Sequence, residues 1–299
     1  MKVPNKYRPQ VQLLVRVLPH IAKEESLALK GGTALNLFIR DLPRLSVDID
    51  LVYLPVEDRQ ASLAKIDRCF ENIISSIQNN IQDVYLVKSA DNRIIVRQGN
   101  TQIKIEISPV LRGSVYPAKL MEITDQAEEQ FGYAEIQVLS FNDLYGGKIC
   151  AALDRQHPRD LFDIKLLLEN EGISRELFET FLVYLISHNR PIVELLDPVL
   201  SDLNDIFENE FVTMTESEIA LEELEETRAK LVKIIHSSLT EQDKEFLISF
   251  KKRKPDWSLF ELENISELPA VKWKLVNLDS MDDKKHQTAV KKLEEFLQS

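Results

Sequence analysis

Residues 30 to 50 of this 299-residue chain carry side chains whose types and spacing suit chemistry. Lys30-Gly31-Gly32-Thr33-Ala34-Leu35 sets a glycine pair at the start of a helical pattern. Ser46-Val47-Asp48-Ile49-Asp50-Leu51 sets two carboxylates two residues apart in an apolar run. Successive side chains of a strand point to opposite faces, so Val47, Ile49 and Leu51 can enter a core while Asp48 and Asp50 stand side by side on the other face. Two adjacent carboxylates repel at neutral pH, and a divalent cation relieves that repulsion. Glycines at a strand-to-helix turn let the backbone approach a ligand closely, and the first helical N–H groups favour an anion such as a triphosphate. Thr33 falls where an N-cap is expected. Taken singly, a D-x-D is common on the solvated face of an edge strand, and such a turn needs glycine for conformational reasons alone. Their placement one helix apart makes the pair specific, and it points to a phosphate cradle beside a metal site.

Two later stretches add charge. Thr101 to Ser108 alternates, with Ile103, Ile105 and Ile107 on one face and Lys104, Glu106 and Ser108 on the other. Glu106 joins Asp48 and Asp50 as a third metal ligand if the two strands are neighbours; otherwise it is an exposed alternation partner of Lys104. Downstream, Leu144-Tyr145-Gly146-Gly147-Lys148-Ile149 leads to Arg155, and His157-Pro158-Arg159-Asp160 leads to Asp163. Lys148 and Arg155 are seven apart and share a helix face, from which both can neutralise phosphate. The plain alternative makes them surface cations and Asp160 a capping acid.

The elements that position these residues follow from periodicity. Helices are expected over Pro9 to Glu25, Thr33 to Asp41 and Glu57 to Ile81, the last with apolar positions at Leu63, Ile66, Phe70, Ile73, Ile74 and Ile77. Strands are expected around Leu29 and over Val47 to Leu54, Val84 to Lys88, Arg93 to Gln98 and Thr101 to Ser108, with a Gly99-Asn100 turn between the last two. Beyond residue 170 the pattern is helical, clearest over Glu216 to Ser238. No internal repeat is evident. The 44% hydrophobic content supports a sizeable core and two domains. Of the net charge of −12, almost all lies late: residues 1 to 170 hold 21 Lys and Arg against 22 Asp and Glu, and all eight glycines occur by Gly172. The expected division is therefore 1–172 and 173–299. The acidic total argues against non-specific adhesion to nucleic acid, but Arg93, Arg97, Lys104, Arg112 and Lys119 offer the first domain a local basic surface. No apolar run spans a bilayer and no secretory signal is visible, so a cytoplasmic location and no membrane partner are expected. Cys69 and Cys150 are too few for a zinc site or a disulfide framework and read as buried thiols. The five histidines lack metal-ligand spacing.

In order, GGTAL, S-x-D-x-D, a strand acid, Gly146-Gly147-Lys148 with Arg155, and R-D-x-x-D resemble the four-motif pattern of the AbiEii/AbiGii nucleotidyltransferase-like toxins, relatives of the MenT toxins. Lys254-Pro255-Asp256-Trp257 and Leu268 to Leu275 also look like that family's carboxy-terminal segments. The resemblance implies an α/β (α+β) fold: a DNA-polymerase-β-like core with a mixed sheet, then an all-helical domain. It implies the toxin of a toxin–antitoxin or abortive-infection pair, transferring NMP from an NTP to an acceptor, a tRNA 3′ end, with a cognate antitoxin as partner. Gly31, Gly32 and Thr33 correspond to the nucleotide-cradling turn with Ser46, and Asp48 and Asp50 to ligands of Mg²⁺ or Mn²⁺. Lys148 matches the third motif's lysine, Arg155 also fits that motif, and Asp160 matches the fourth motif's acid, placed to orient Lys148 or the nucleotide. Glu106 fits the wider superfamily's third carboxylate. In the two-metal scheme that follows, one ion activates the acceptor hydroxyl and the other binds the triphosphate. The rival readings are a non-catalytic NTP-binding regulatory module and nucleotidylation of a protein hydroxyl.

Overall fold

The structure, a computed structural model, describes residues 6–89, 92–215 and 217–298; Glu216, the expected first residue of the long acidic helix, lies outside them. Two compact units divide the chain, Met1–Leu144 with Asp205–Ile219, and Tyr145–Asn204 with Ala220–Ser299. Position 172/173 falls inside the second.

The first unit is built on a seven-stranded mixed sheet. Its strands are β1 (Leu27–Lys30), β2 (Asp48–Tyr53), β3 (Val84–Ser89), β4 (Arg93–Gln98), β5 (Thr101–Arg112), β6 (Lys119–Glu122) and β7 (Glu135–Val138). They lie in the order β3-β4-β5-β2-β1-β7-β6. The β2–β5 and β1–β7 pairs are parallel and the rest antiparallel. Alternation fixes which face is buried: Ile49, Leu51, Ile94, Val96, Ile105 and Ile107 are all fully enclosed. Helices α1 (Arg8–Ile21) and α3 (Arg59–Asn80) pack with this sheet and with each other. Asp58 caps α3, its Oδ1 accepting from the Gln60 and Ala61 amides at 2.8 and 3.2 Å, and Ile66, Phe70, Ile73 and Ile77 form its buried stripe.

Helix α2 (Gly31–Ala34) differs from the expected Thr33 to Asp41. It starts two residues earlier and passes into a π-helical turn over Leu35–Ile39. Within that turn Asn36 Nδ2 donates to the Gly32 carbonyl at 2.8 Å. β6, β7 and the intervening α4 (Asp125–Phe131) add an edge that hydrophobic patterning does not announce. Residues 205–219 also belong to this unit rather than to the helical half. The Leu45 amide donates to the Met214 carbonyl at 2.7 Å, Thr215 Oγ1 to the Pro43 carbonyl at 3.1 Å, and Phe207, Phe211 and Met214 are buried.

The second unit is helical, with no strand among its described residues. It takes most of α5 (Phe141–Asp154), then α6 (Pro158–Asn170), α7 (Arg175–Ser187) and α8 (Ile192–Leu196), and, beyond the one-turn α9 (Asn204–Ile206), α10 (Leu221–Ser238), α11 (Glu241–Lys251), α12 (Pro269–Asp279) and α13 (Asp283–Gln298). Gly146 and Gly147 are packing glycines: a Cβ on Gly146 would stand 3.1 Å from the Tyr184 ring and 3.2 Å from the Thr180 methyl of α7. Arg175 Nη1 and Nη2 donate to the two oxygens of buried Asp243 at 2.7 Å each, tying α7 to α11. Cys69 and Cys150 are buried free thiols, and burial pushes the Cys69 thiol up to about 11. No helix among the described residues is long and apolar enough to cross a membrane.

Candidate active site

The glycine turn and the acid strand are in direct apposition. Lys30 and Asp50 are paired residues of β1 and β2, so the chain leaving β1 turns immediately over the acid face of β2. Gly31 sits at φ +74°, and a Cβ there would stand 2.7 Å from Asp50 Oδ2. Glycine is therefore required twice, by backbone conformation and by the carboxylate against it. Gly32 is enclosed from the other side, where a Cβ would stand 2.9 Å from the Arg44 guanidinium and 3.0 Å from Ser46 Oγ. Thr33 is not the N-cap; that position is Lys30, in extended conformation. The buried Thr33 hydroxyl instead lies 3.0 Å from Ser46 Oγ and donates to the Asp48 carbonyl oxygen. Gly31, Gly32, Thr33, Ser46, Asp48 and Asp50 thus form one cluster in which the turn is bonded to the strand it overlies.

Glu106 is brought beside this cluster. β5 runs parallel to β2 with Asp48 opposite Lys104 and Asp50 opposite Glu106, so all four share a face. The Glu106 carboxylate is engaged by cations, Lys104 Nζ at 3.1 Å and Arg93 Nη2 at 3.4 Å. Partial burial raises its pKa, but Lys104 and Arg93 outweigh this and hold it below the usual value. Asp50 makes no ion pair with a described residue. Among the described residues no three His, Cys, Asp or Glu side chains converge as a metal site. Asp48 and Asp50 offer carboxylate oxygens on one face beside the turn, a donor type that suits Mg²⁺ or Mn²⁺.

Lys148, Arg155, Asp160 and Asp163 meet in the second unit. Asp160 and Asp163 are three apart on α6, and both reach Lys148 Nζ of α5, at 2.8 and 3.0 Å. Arg155 closes the cluster with a fork onto Asp160, Nε to Oδ2 and Nη2 to Oδ1 at 3.0 Å. Lys148 is 5% exposed and Asp160 1%, whereas the Arg155 side chain is 63% exposed. Lys148 is therefore no surface cation, and Asp160 positions it by direct ion pairing. Burial raises the Asp160 carboxyl, but Lys148 and Arg155 bring it well below the carboxylate range.

Residues 12–277 match the profile of the family described as nucleotidyl transferase AbiEii toxin, type IV TA system. The chain belongs to the AbiEii nucleotidyltransferase toxin family. It is a nucleotidyltransferase. Among solved structures it is similar to MenT4, a nucleotidyltransferase toxin from Mycobacterium tuberculosis H37Rv, at 13% identity and a TM-score of 0.59, with 98% of this chain and 95% of that chain covered. At that identity the likeness is one of fold. A tRNA-processing enzyme in an apo form aligns over 100% of both chains at 11% identity, but its TM-score of 0.23 carries no argument. No curated protein matches.

The structure also places beside the turn a residue that the motifs do not single out. Arg44, 4% exposed, donates from Nη1 to the Leu45 carbonyl at 2.8 Å, and its guanidinium stands 2.9 Å from where a Cβ on Gly32 would lie. A lone arginine within the apolar stretch Leu42-Pro43-Arg44-Leu45 was the available signal. Of the five cations read as a basic surface, Arg112 is buried and Lys119 lies on β6, at the far edge of the sheet from β3 and β4. Only Arg93, Arg97 and Lys104 occupy one face.

Proposed function

We propose that this toxin transfers a nucleoside monophosphate from an NTP to the 3′ hydroxyl of an RNA acceptor, a tRNA end, in the cytoplasm, with Asp48 and Asp50 as ligands of Mg²⁺ or Mn²⁺. The observation that carries this is the apposition of the Gly31 backbone and the Asp50 carboxylate, which sets a phosphate-binding turn against a carboxylate with no cationic partner among the described residues. The Gly31–Thr33 amides and Ser46 orient the triphosphate, and the Thr33 bond to the Asp48 carbonyl holds turn and strand as one body. When bound, the divalent ion neutralises phosphate charge and lowers the pKa of the attacking hydroxyl. The acceptor oxygen bonds to the α-phosphorus, the bond from that phosphorus to the bridging oxygen breaks, pyrophosphate leaves and the hydroxyl proton passes to water. Glu106 serves as a third ligand only on release from Lys104 and Arg93. If Lys148 contacts phosphate, as the resemblance implies, Lys148→Arg, which keeps the charge, retains more transfer than Lys148→Ala.

The experiment is incubation with each labelled NTP, Mg²⁺ and total RNA plus protein. An RNase-sensitive labelled product, absent with Asp48→Ala, is expected. A protease-sensitive product would move the acceptor to a protein hydroxyl, and bound label without product would overturn transfer.

A further inference from the structure

The face of the sheet that carries Asp48 and Asp50 continues, open to solvent, across β5 and β4 to the edge strand β3. Register fixes its membership: Asp50 is opposite Glu106, which is opposite Arg93; Asp48 is opposite Lys104, which is opposite Ile95 and through it Val87; Gln102 is opposite Arg97, which is opposite Tyr85. The reverse face of the same strands is the apolar one, so the pleat forces these side chains outward. Tyr85 is 67% exposed, although a phenol ring on a sheet is ordinarily covered. Arg97 is exposed, its Nε held only by the Gln102 amide oxygen at 2.8 Å, with no carboxylate partner among the described residues. Glu106 fixes Lys104 and Arg93 beside it rather than leaving them mobile.

Resting on the transfer reaction proposed above, we infer that this strip is the track of the acceptor: a single-stranded RNA 3′ end lies from Tyr85 to Asp50, with Arg97 and Lys104 on its phosphates and a base stacked on Tyr85. Three features select this occupant. The strip ends at the acids where the reacting hydroxyl must arrive. It alternates cations with an exposed aromatic ring, the combination that binds single strands without reading sequence. Tyr85 is level with Gln102 and Asp50 with Glu106, so the strip crosses three strand spacings, about 14 Å, while advancing about 13 Å along the strands, and its diagonal of about 20 Å matches about six stacked nucleotides at 3.4 Å each. A duplex end keeps its bases paired and stacked, so that only the outer face of the last pair is open, and it cannot splay successive bases along the strip.

The test uses the full-length protein and an RNA hairpin acceptor in two forms, one with a single-stranded 3′ tail of about six nucleotides and one blunt. Transfer to the tailed form only is expected. Tyr85→Ala raises the KM for the tailed acceptor about tenfold, well beyond any change in KM for NTP, and Tyr85→Trp restores it. Arg97→Ala lowers the slope of log affinity against log salt for a single-stranded oligonucleotide by about 0.7, the loss of one phosphate contact. Equal use of the blunt acceptor, or an unchanged acceptor KM in both variants of a protein that does transfer to RNA, overturns the track while leaving the reaction in place. A wild-type protein that labels only protein overturns the reaction and the track with it.

Discussion

Two acid pairs in this molecule, Asp48 with Asp50 and Asp160 with Asp163, are alike in composition and opposite in fate. On α6 the three-residue spacing turns both carboxylates to one side, where Lys148 lies 2.8 and 3.0 Å away, and Arg155 forks onto Asp160. The negative charge is spent inside the second unit. On β2 the two-residue spacing sets the carboxylates on a sheet face against a glycine turn, and Asp50 has no ion-pair partner among the described residues. A carboxylate without an ion pair, as Asp50 is among the described residues, is free to meet a cation, whereas the carboxylates of the α6 pair already have one. The motifs give site roles to Asp48, Asp50 and Asp160 alike, and their surroundings differ: a sheet face against a glycine turn for the first two, a buried ion-pair cluster for the third.

The largest effect expected from breaking this contrast is on the reaction. Asp48→Asn or Asp50→Asn should lower kcat/KM for NTP transfer about 10³-fold or more, roughly 4 kcal/mol of transition-state stabilisation, while the urea midpoint stays at the wild-type value. A variant that loses the fold together with the activity would place these acids with the structural pair instead.

The converse variant is Lys148→Ala. Removing one partner of a buried pair leaves uncompensated charge, and the second unit should lose about 3 kcal/mol in urea unfolding. Lys148→Ala that keeps the midpoint but abolishes transfer would reverse the comparison. Acid supplies the same test without mutation. Because the Asp160 carboxyl is lowered in the folded state, its contribution is complete above the ordinary carboxyl pKa near 4 and is lost as pH falls toward the lowered value. Unfolding midpoints measured from pH 7 down to pH 3 should fall less steeply in Asp160→Asn than in the wild type.

What sequence conveyed differs between the regions for a physical reason. Alternation is local, so β2, β4 and β5 were legible, as was the long α3, whose bounds of Arg59–Asn80 lie within two residues of the expected ones. The four-residue β6 and β7 complete too little of a period to register. The composition shift at Gly172 marks a helix end, where its amide donates to the Leu167 carbonyl at 2.8 Å and its φ is +73°; the compact units divide after Leu144. The return of residues 205–219 to the first unit depends on contacts such as Leu45 with Met214, 169 positions apart and invisible to periodicity. The same holds at the site. The types and order of Gly31, Asp48 and Asp50 were legible, as was Asp160 as a partner of Lys148, whereas the Arg93 ion pair of Glu106 was not, since it depends on a neighbouring strand.

A smaller effect is expected at the turn itself. Gly31→Ala places a methyl at φ +74° and 2.7 Å from Asp50 Oδ2. The left-handed conformation costs an alanine about 1–2 kcal/mol, visible as a lower melting temperature, and displacement of the carboxylate should raise the KM for NTP. Gly32→Ala, at ordinary φ, meets instead the side chains of Arg44 and Ser46, so its effect should be the weaker of the two; the reverse order would show that Arg44, not Asp50, is the tighter wall of the cradle.

The smallest effect belongs to the residue that stands between the two fates. Glu106 neighbours Asp50 by register but gives its carboxylate to Lys104 and Arg93. If those ion pairs define its role, Glu106→Gln, which keeps the shape and an oxygen acceptor, should reduce transfer by less than about tenfold and leave the dependence on Mn²⁺ concentration unchanged. A loss as large as that of Asp50→Asn, with the Mn²⁺ requirement raised, would instead make Glu106 the third ligand. The Lys104 and Arg93 ion pairs would then be a resting arrangement that metal entry breaks, and the line between acting and holding acids would run through this single side chain.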